Sequence, residues 1–125
     1  MITEDYVSFE TAKLLKEKGF NYPCRVVYSP KGIVKHYLKE EVYAHHLKGH
    51  KKLCPTLQMA VKWLREVYSI NFNISWNPTF KDYFVEIFKP TLLYSTITYQ
   101  NYEEACEAAI KYCLENLINK KEGNT

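Results

Sequence analysis

Ile70-Asn71-Phe72-Asn73-Ile74-Ser75-Trp76-Asn77 alternates between apolar and polar side chains without a break. A period of two puts Ile70, Phe72, Ile74 and Trp76 on one face of a strand and the asparagines and serine on the other. That is the pattern of a strand in an antiparallel sheet with one dry face and one wet face. A dry face needs a cover, and two amphipathic stretches flank it. In residues 55–68, PTLQMAVKWLREVY, Leu57, Ala60, Val61, Leu64, Val67 and Tyr68 recur at helical spacing, with Lys62, Arg65 and Glu66 opposite. Pro55 suits the first helical position, where a missing N–H costs nothing. In residues 101–118, NYEEACEAAIKYCLENLI, the apolar stripe is Cys106, Ala109, Ile110, Cys113, Leu114 and Leu117. Asn101 caps it, with Glu104 three residues on in a capping-box arrangement.

Working outward, Asn77-Pro78-Thr79 is a turn. Strands follow at 83–88, stopped by Pro90, and at 93–98. Toward the N-terminus, a helix over 8–18 begins at Ser8, whose hydroxyl can accept from a first-turn N–H. It ends at Gly19 in the left-handed position, with Phe20 closing onto Leu15 as in a Schellman ending. Phe9, Ala12 and Leu15 face inward. Residues 24–28 and 33–37 form a hairpin across Ser29-Pro30-Lys31-Gly32, where proline presets φ and glycine accepts positive φ. A further short strand is expected over 38–43 and a loop over 49–54. The expected architecture is α+β: one antiparallel sheet of about five strands with three helices, in the order α-β-β-α-β-β-β-α. The helices cover the face carrying Ile70, Phe72, Ile74 and Trp76. The expected core includes Leu57, Val61, Leu64, Ile70, Phe72, Ile74, Cys106, Ile110, Cys113 and Leu117.

Composition agrees with an ordinary globular chain. Its 125 residues are 46% apolar and 25% charged, and suit a single domain over 1–125, with a frayed polar tail at 119–125. No apolar run approaches the ~18 residues a spanning helix needs. The acidic start Met1-Ile2-Thr3-Glu4-Asp5 lacks the apolar stretch of a signal peptide, so a cytoplasmic setting and no membrane partner are expected. Four cysteines are then thiols rather than bridges. Cys106 and Cys113 sit about 10 Å apart along one helix, too far for a disulfide.

Three segments, DYVSFETAKLLKEKGF (5–20), CPTLQMAVKWLREV (54–67) and YEEACEAAIKYCLENLI (102–118), resemble a family of small uncharacterised proteins of gut Bacteroides-type bacteria, often phage- or mobile-element-associated. The likeness implies a bacterial cytoplasmic setting and the three-helix layout. It implies no activity and no site residue.

Candidate chemistry is sparse. His45, His46, His50 and Cys54 fall within ten residues, with Cys24 a further sulfur. These are zinc-ligand types, but Gly49 interrupts the segment and no CxxC or second half accompanies it, so no metal is expected. Cys54, beside Lys51 and Lys52 and before a helix, is the one cysteine in the setting a nucleophile needs. Asp82 and Glu86 share a strand face without any glycosidase pattern. With glycines only at 19, 32, 49 and 123, no phosphate-cradling loop exists and no cofactor is expected. The chain therefore reads as a non-enzyme.

Charge says more. The net charge is +3, yet residues 24–54 alone hold seven basic side chains against Glu40 and Glu41, a net +5. Arg25, Lys31, Lys35, Lys48, Lys51 and Lys52, interleaved with Tyr28, Tyr37 and Tyr43, are the candidate nucleic-acid-binding set, since basic groove plus aromatic platform holds single strands. The helix-sheet-helix order over 55–118 matches a double-stranded-RNA-binding domain in outline. Its last helix, however, starts with Glu103 and Glu104, which would repel phosphate. Eleven tyrosines and two tryptophans exceed what one core needs, and tyrosine is favoured at interfaces. The expected function is thus a protein-interaction or regulatory domain, with a protein partner or a second copy of itself; nucleic-acid binding is the alternative.

Overall fold

The structure, a computed structural model, describes residues 5–37, 40–89 and 91–118. The elements run α1 (Phe9–Glu17), β1 (Val26–Tyr28), β2 (Val34–His36), a 3-10 turn (Ala44–His46), β3 (Lys52–Leu53), α2 (Leu57–Tyr68), β4 (Asn71–Asn77), β5 (Asp82–Phe88), β6 (Leu92–Tyr99) and α3 (Tyr102–Tyr112), which continues as a π-helical turn over Cys113–Leu117. The class is α+β, as expected. The sheet is not one: the strands form two antiparallel sheets, β2-β1-β3 and β4-β5-β6.

Each helix starts where its sequence provides an acceptor. The hydroxyls of Ser8 and Thr56 accept from the N–H groups of Thr11 and Met59, and the Asn101 carboxamide oxygen from that of Glu104. Pro55 lies one residue before the Thr56 cap rather than inside α2. α1 ends as expected: Gly19 takes φ +89°, and the N–H groups of Gly19 and Phe20 donate to Lys16 and Leu15.

The first sheet departs furthest from expectation. The hairpin turn holds, with Gly32 at φ +87° and its N–H donating to Ser29. The described part of the expected third strand, residues 40–43, is not a strand. Leu38 and Lys39 lie outside the described residues, and beyond them only Val42 pairs, as a single bridge to Cys24. The strand is instead Lys52–Leu53, within the expected loop, and it pairs with the free side of β1. All three β1 residues are buried. Because neighbours in a strand point to opposite faces, β1 is covered on both.

In the second sheet β4 and β5 pair over seven residues without a slip. Phe72, Ile74 and Trp76 lie opposite Ile87, Val85 and Tyr83 and share their face, the one α2 and α3 cover. The face assignment is therefore right, but Phe72 and Ile74 are only half-buried and Trp76 is 48% exposed. Val61 and Leu117 are half-buried, and Val67 is 48% exposed. Trp63 takes the inward place in α2, its ring packed edge-on against Phe20 and Tyr68. Leu57, Leu64, Ile70, Cys106, Ile110 and Cys113 are buried as expected. Among the described residues no helix is long and apolar enough to cross a membrane.

Leu64 is fully buried at the centre of this layer. Leu64→Ala removes apolar contacts that the neighbours cannot all replace, so it should cost roughly 2–5 kcal/mol. A denaturant titration checks this; a midpoint unchanged from the parent chain would place Leu64 outside the core.

Candidate functional site

A concavity forms where residues 5–8 meet α3. Residues 5–7 lie along the start of α2: Val7 N–H donates to Pro55 O (3.0 Å) and Leu57 N–H to Asp5 O (2.9 Å). Tyr28 donates its hydroxyl to Val7 O at 2.8 Å. α3 lies alongside and is tied on by Glu107. One of its oxygens, Oε1, accepts from the Ser8 backbone N–H at 2.9 Å and from the buried Thr11 hydroxyl at 2.6 Å. Between the two walls runs a groove of about 800 Å³. Asp5, Tyr6, Val7, Ser8, Tyr28 and Leu57 line one side; Tyr99, Gln100, Glu103, Glu104, Glu107, Ala108 and Lys111 line the other.

The groove is acidic and aromatic. It holds four carboxylates against one ammonium, and that ammonium, Lys111, is already bound to Glu10 at 3.1 Å. Tyr6 and the neighbouring Tyr102 are exposed. Tyr102 continues a line of edge-on rings through Tyr83 to Trp76, at centroid spacings of 6.1 and 5.0 Å. Facing carboxylates and aromatic rings are what a cationic side chain seeks.

The expected basic set does not form one surface. Lys35 sits on the exposed strand β2, above the Tyr37 ring. Arg25 lies beside Cys24 and Glu41 in a small pocket. Lys48 and Lys51 share another with Glu40 and Glu41, which offset them. Lys31 is in the hairpin turn. Lys52 comes closest to a platform, 5.3 Å above the Phe9 ring, with Lys13 5.9 Å from the same ring. Burial, helped by Lys16 and Lys13, lowers the Lys52 pKa. Lys13 and Lys16 belong to α1, outside the basic 24–54 segment, and lie 39 and 36 residues before Lys52 in sequence.

The zinc-type residues do not gather. His45, His46 and His50 are exposed, the first two packed around Tyr43, while Cys54 is buried with its sulfur 3.8 Å from Val7 O. Among the described residues no three His, Cys, Asp or Glu side chains could hold a metal ion. Cys54 is also a poor nucleophile, since burial pushes its thiol up to about 11. Asp82 is buried and Glu86 accepts from Asn73 at 3.1 Å, an arrangement of strand packing. Comparison with family models, with curated proteins and with solved structures finds no match to this chain.

All four cysteines are buried free thiols. Burial raises Cys24, Cys106 and Cys113 to about 12 from an ordinary 9.0. A folded state that holds its thiol protons more tightly loses stability as the unfolded chain begins to release them. The thiol contribution is therefore complete below about pH 9 and fades as pH rises toward 12. Native protein should label with a thiol reagent at pH 8 far more slowly than urea-unfolded protein. Its thermal midpoint should fall steadily above pH 9. Rapid labelling of any cysteine in the native state would contradict the burial.

Proposed function

We propose that this chain is a small non-enzymatic interaction domain whose groove between the N-terminal segment and α3 binds a basic segment of a protein partner. The observation that carries the reading is the groove lining: Asp5, Glu103, Glu104 and Glu107 beside Tyr6, Tyr28 and Tyr99. An extended basic peptide would meet the exposed carboxylates of Asp5, Glu103 and Glu104 for its charges and the rings of Tyr6 and Tyr99 for its stems. Tyrosine brings contact area at low entropy cost. Complementary charge also speeds encounter and rejects acidic competitors. The resemblance of the three helical segments supports a bacterial cytoplasmic setting of phage or mobile-element origin, in which a regulatory contact of this kind has a natural place.

The second reading is weak nucleic-acid binding. What favours it is the placement of Lys13 and Lys52 over the Phe9 ring, with Lys16 close enough to Lys52 to help lower its pKa. What opposes it is that Lys16 and Lys52 already donate to backbone carbonyls of the 49–51 loop, and that Glu40 and Glu41 share the pocket of Lys48 and Lys51.

Fluorescence anisotropy with a labelled Lys/Arg-rich peptide, an acidic peptide of equal length and a mixed-sequence single-stranded oligonucleotide separates the two. The basic peptide should bind, and Glu103→Lys with Glu104→Lys should weaken it about tenfold or more. Lys51→Glu with Lys52→Glu should leave it nearly unchanged. Oligonucleotide binding that falls with salt at a log–log slope of about −0.7 per phosphate contact, and is lost on the lysine reversal, would put nucleic acid first.

A further inference from the structure

We infer that β4 is a self-pairing edge, through which two copies of this chain join their second sheets into one continuous antiparallel sheet. β4 is terminal in the order β4-β5-β6, so one side of its backbone has no strand partner among the described residues. Free edges invite pairing, and proteins that must stay apart blunt them with charge, proline, shortness or bulges. The other edges carry such devices. β2 holds Lys35 and follows Pro30 and Lys31, and β3 is two residues long with Lys52 in it. β6 pairs with β5 through two register shifts. β4 has none. It is seven residues of unbroken register, Asn-Phe-Asn-Ile-Ser-Trp-Asn, without a charge or a proline.

The same sequence is complementary to itself about a two-fold axis at Ile74. Directly opposed residues of antiparallel strands lie on one face of the sheet. With Ile74 opposite its own copy, Phe72 meets Trp76 of the second copy, and Trp76 meets its Phe72, on the helix side. On the other side Asn73 meets Ser75 and Asn71 meets Asn77, pairs able to exchange hydrogen bonds. This register engages all seven residues, and it gives the 48%-exposed Trp76 ring an aromatic neighbour it lacks across the free edge. Centring the axis on Ser75 would set Pro78 of each strand against Phe72 of the other. The occupant is therefore a second copy, and the interface is isologous and closed. No β4 residue lines the acidic groove, and failure of the pairing would leave that reading intact.

Sedimentation velocity over a concentration series of the full chain should show a species of about twice the 14.8 kDa chain mass. Two double variants test the register. Asn73→Lys with Ser75→Lys sets like charges directly opposite at two places across the axis, and should weaken dimerisation at least tenfold. Asn73→Lys with Ser75→Glu sets opposite charges at the same places and should keep the dimer. Both positions are on the helix-free face, and the first change is common to both variants. Hydrogen exchange on the parent chain gives an independent reading: β4 amide protection should rise with protein concentration, while that of β2 should not. A monomer at every concentration, equal dimerisation of both variants, or concentration-independent β4 exchange would overturn the proposal.

Discussion

Glu107 stands where the two ends of the chain are joined. In a capping box the residue at the third helical position reaches back to the backbone N–H of the cap. In α1 that position is Thr11, whose side chain is too short for the task. Glu107 of α3 performs it instead. Its Oε1 accepts both the Ser8 N–H and the Thr11 hydroxyl, 99 and 96 residues away in sequence. Three effects coincide there. A backbone donor at the helix start is satisfied, the buried Thr11 hydroxyl finds an acceptor, and a negative charge sits at the positive end of the α1 dipole. Hydrogen bonds to charged groups contribute about 1.5–3 kcal/mol each, more than neutral ones. The Lys111–Glu10 pair crosses the same junction, but Glu10 is largely exposed and such pairs contribute little.

This joint also places the groove. Ser8 and Glu107 both line it, so the contact that fixes α1 against α3 sets the distance between its walls. Tyr28 reinforces one wall from the first sheet by donating to Val7. The carboxylates thus have unequal duties. Glu107 is committed to the fold, whereas Glu103 and Glu104, exposed in the first turn of α3, are available to a partner. Their position also explains why the α2–β4–β5–β6–α3 half, despite its order, presents the wrong charge for a nucleic-acid backbone.

Where local chemistry decides, the sequence was readable. Ser8, Gly19 and Phe20 bracket α1, and the 70–77 alternation names the covered face of β4. Where pairing at a distance decides, it was not. Lys52–Leu53 is too short to show a period, and only the free side of β1 makes it a strand. The division into two sheets rests on the same partner choice. In α2 the expected stripe included Val67 and passed over Trp63; the Trp63 ring is buried against Phe20 and Tyr68, whereas Val67, one turn further on, is 48% exposed. The groove was not legible for a similar reason, since its walls come from residues 5–8, Tyr28 and Leu57 on one side and from residues 99–111 on the other. Conversely, the basic residues contiguous between 24 and 54 disperse once the chain folds. The carboxylates were visible in the sequence, Asp5 in an acidic start and Glu103 and Glu104 at an acidic helix start, but not their convergence.

The central claim is that the Glu107 joint holds the two ends of the chain as one cooperative body. A double-mutant cycle on unfolding free energy, with Glu107→Ala, Thr11→Val and the pair, measures it. If the joint acts as described, each single change is destabilising and the two are non-additive, with a coupling of about 1 kcal/mol or more between the contacting side chains. Additivity within about 0.3–0.5 kcal/mol would contradict the account, because it would mean that the carboxylate and the hydroxyl stabilise the fold independently of each other.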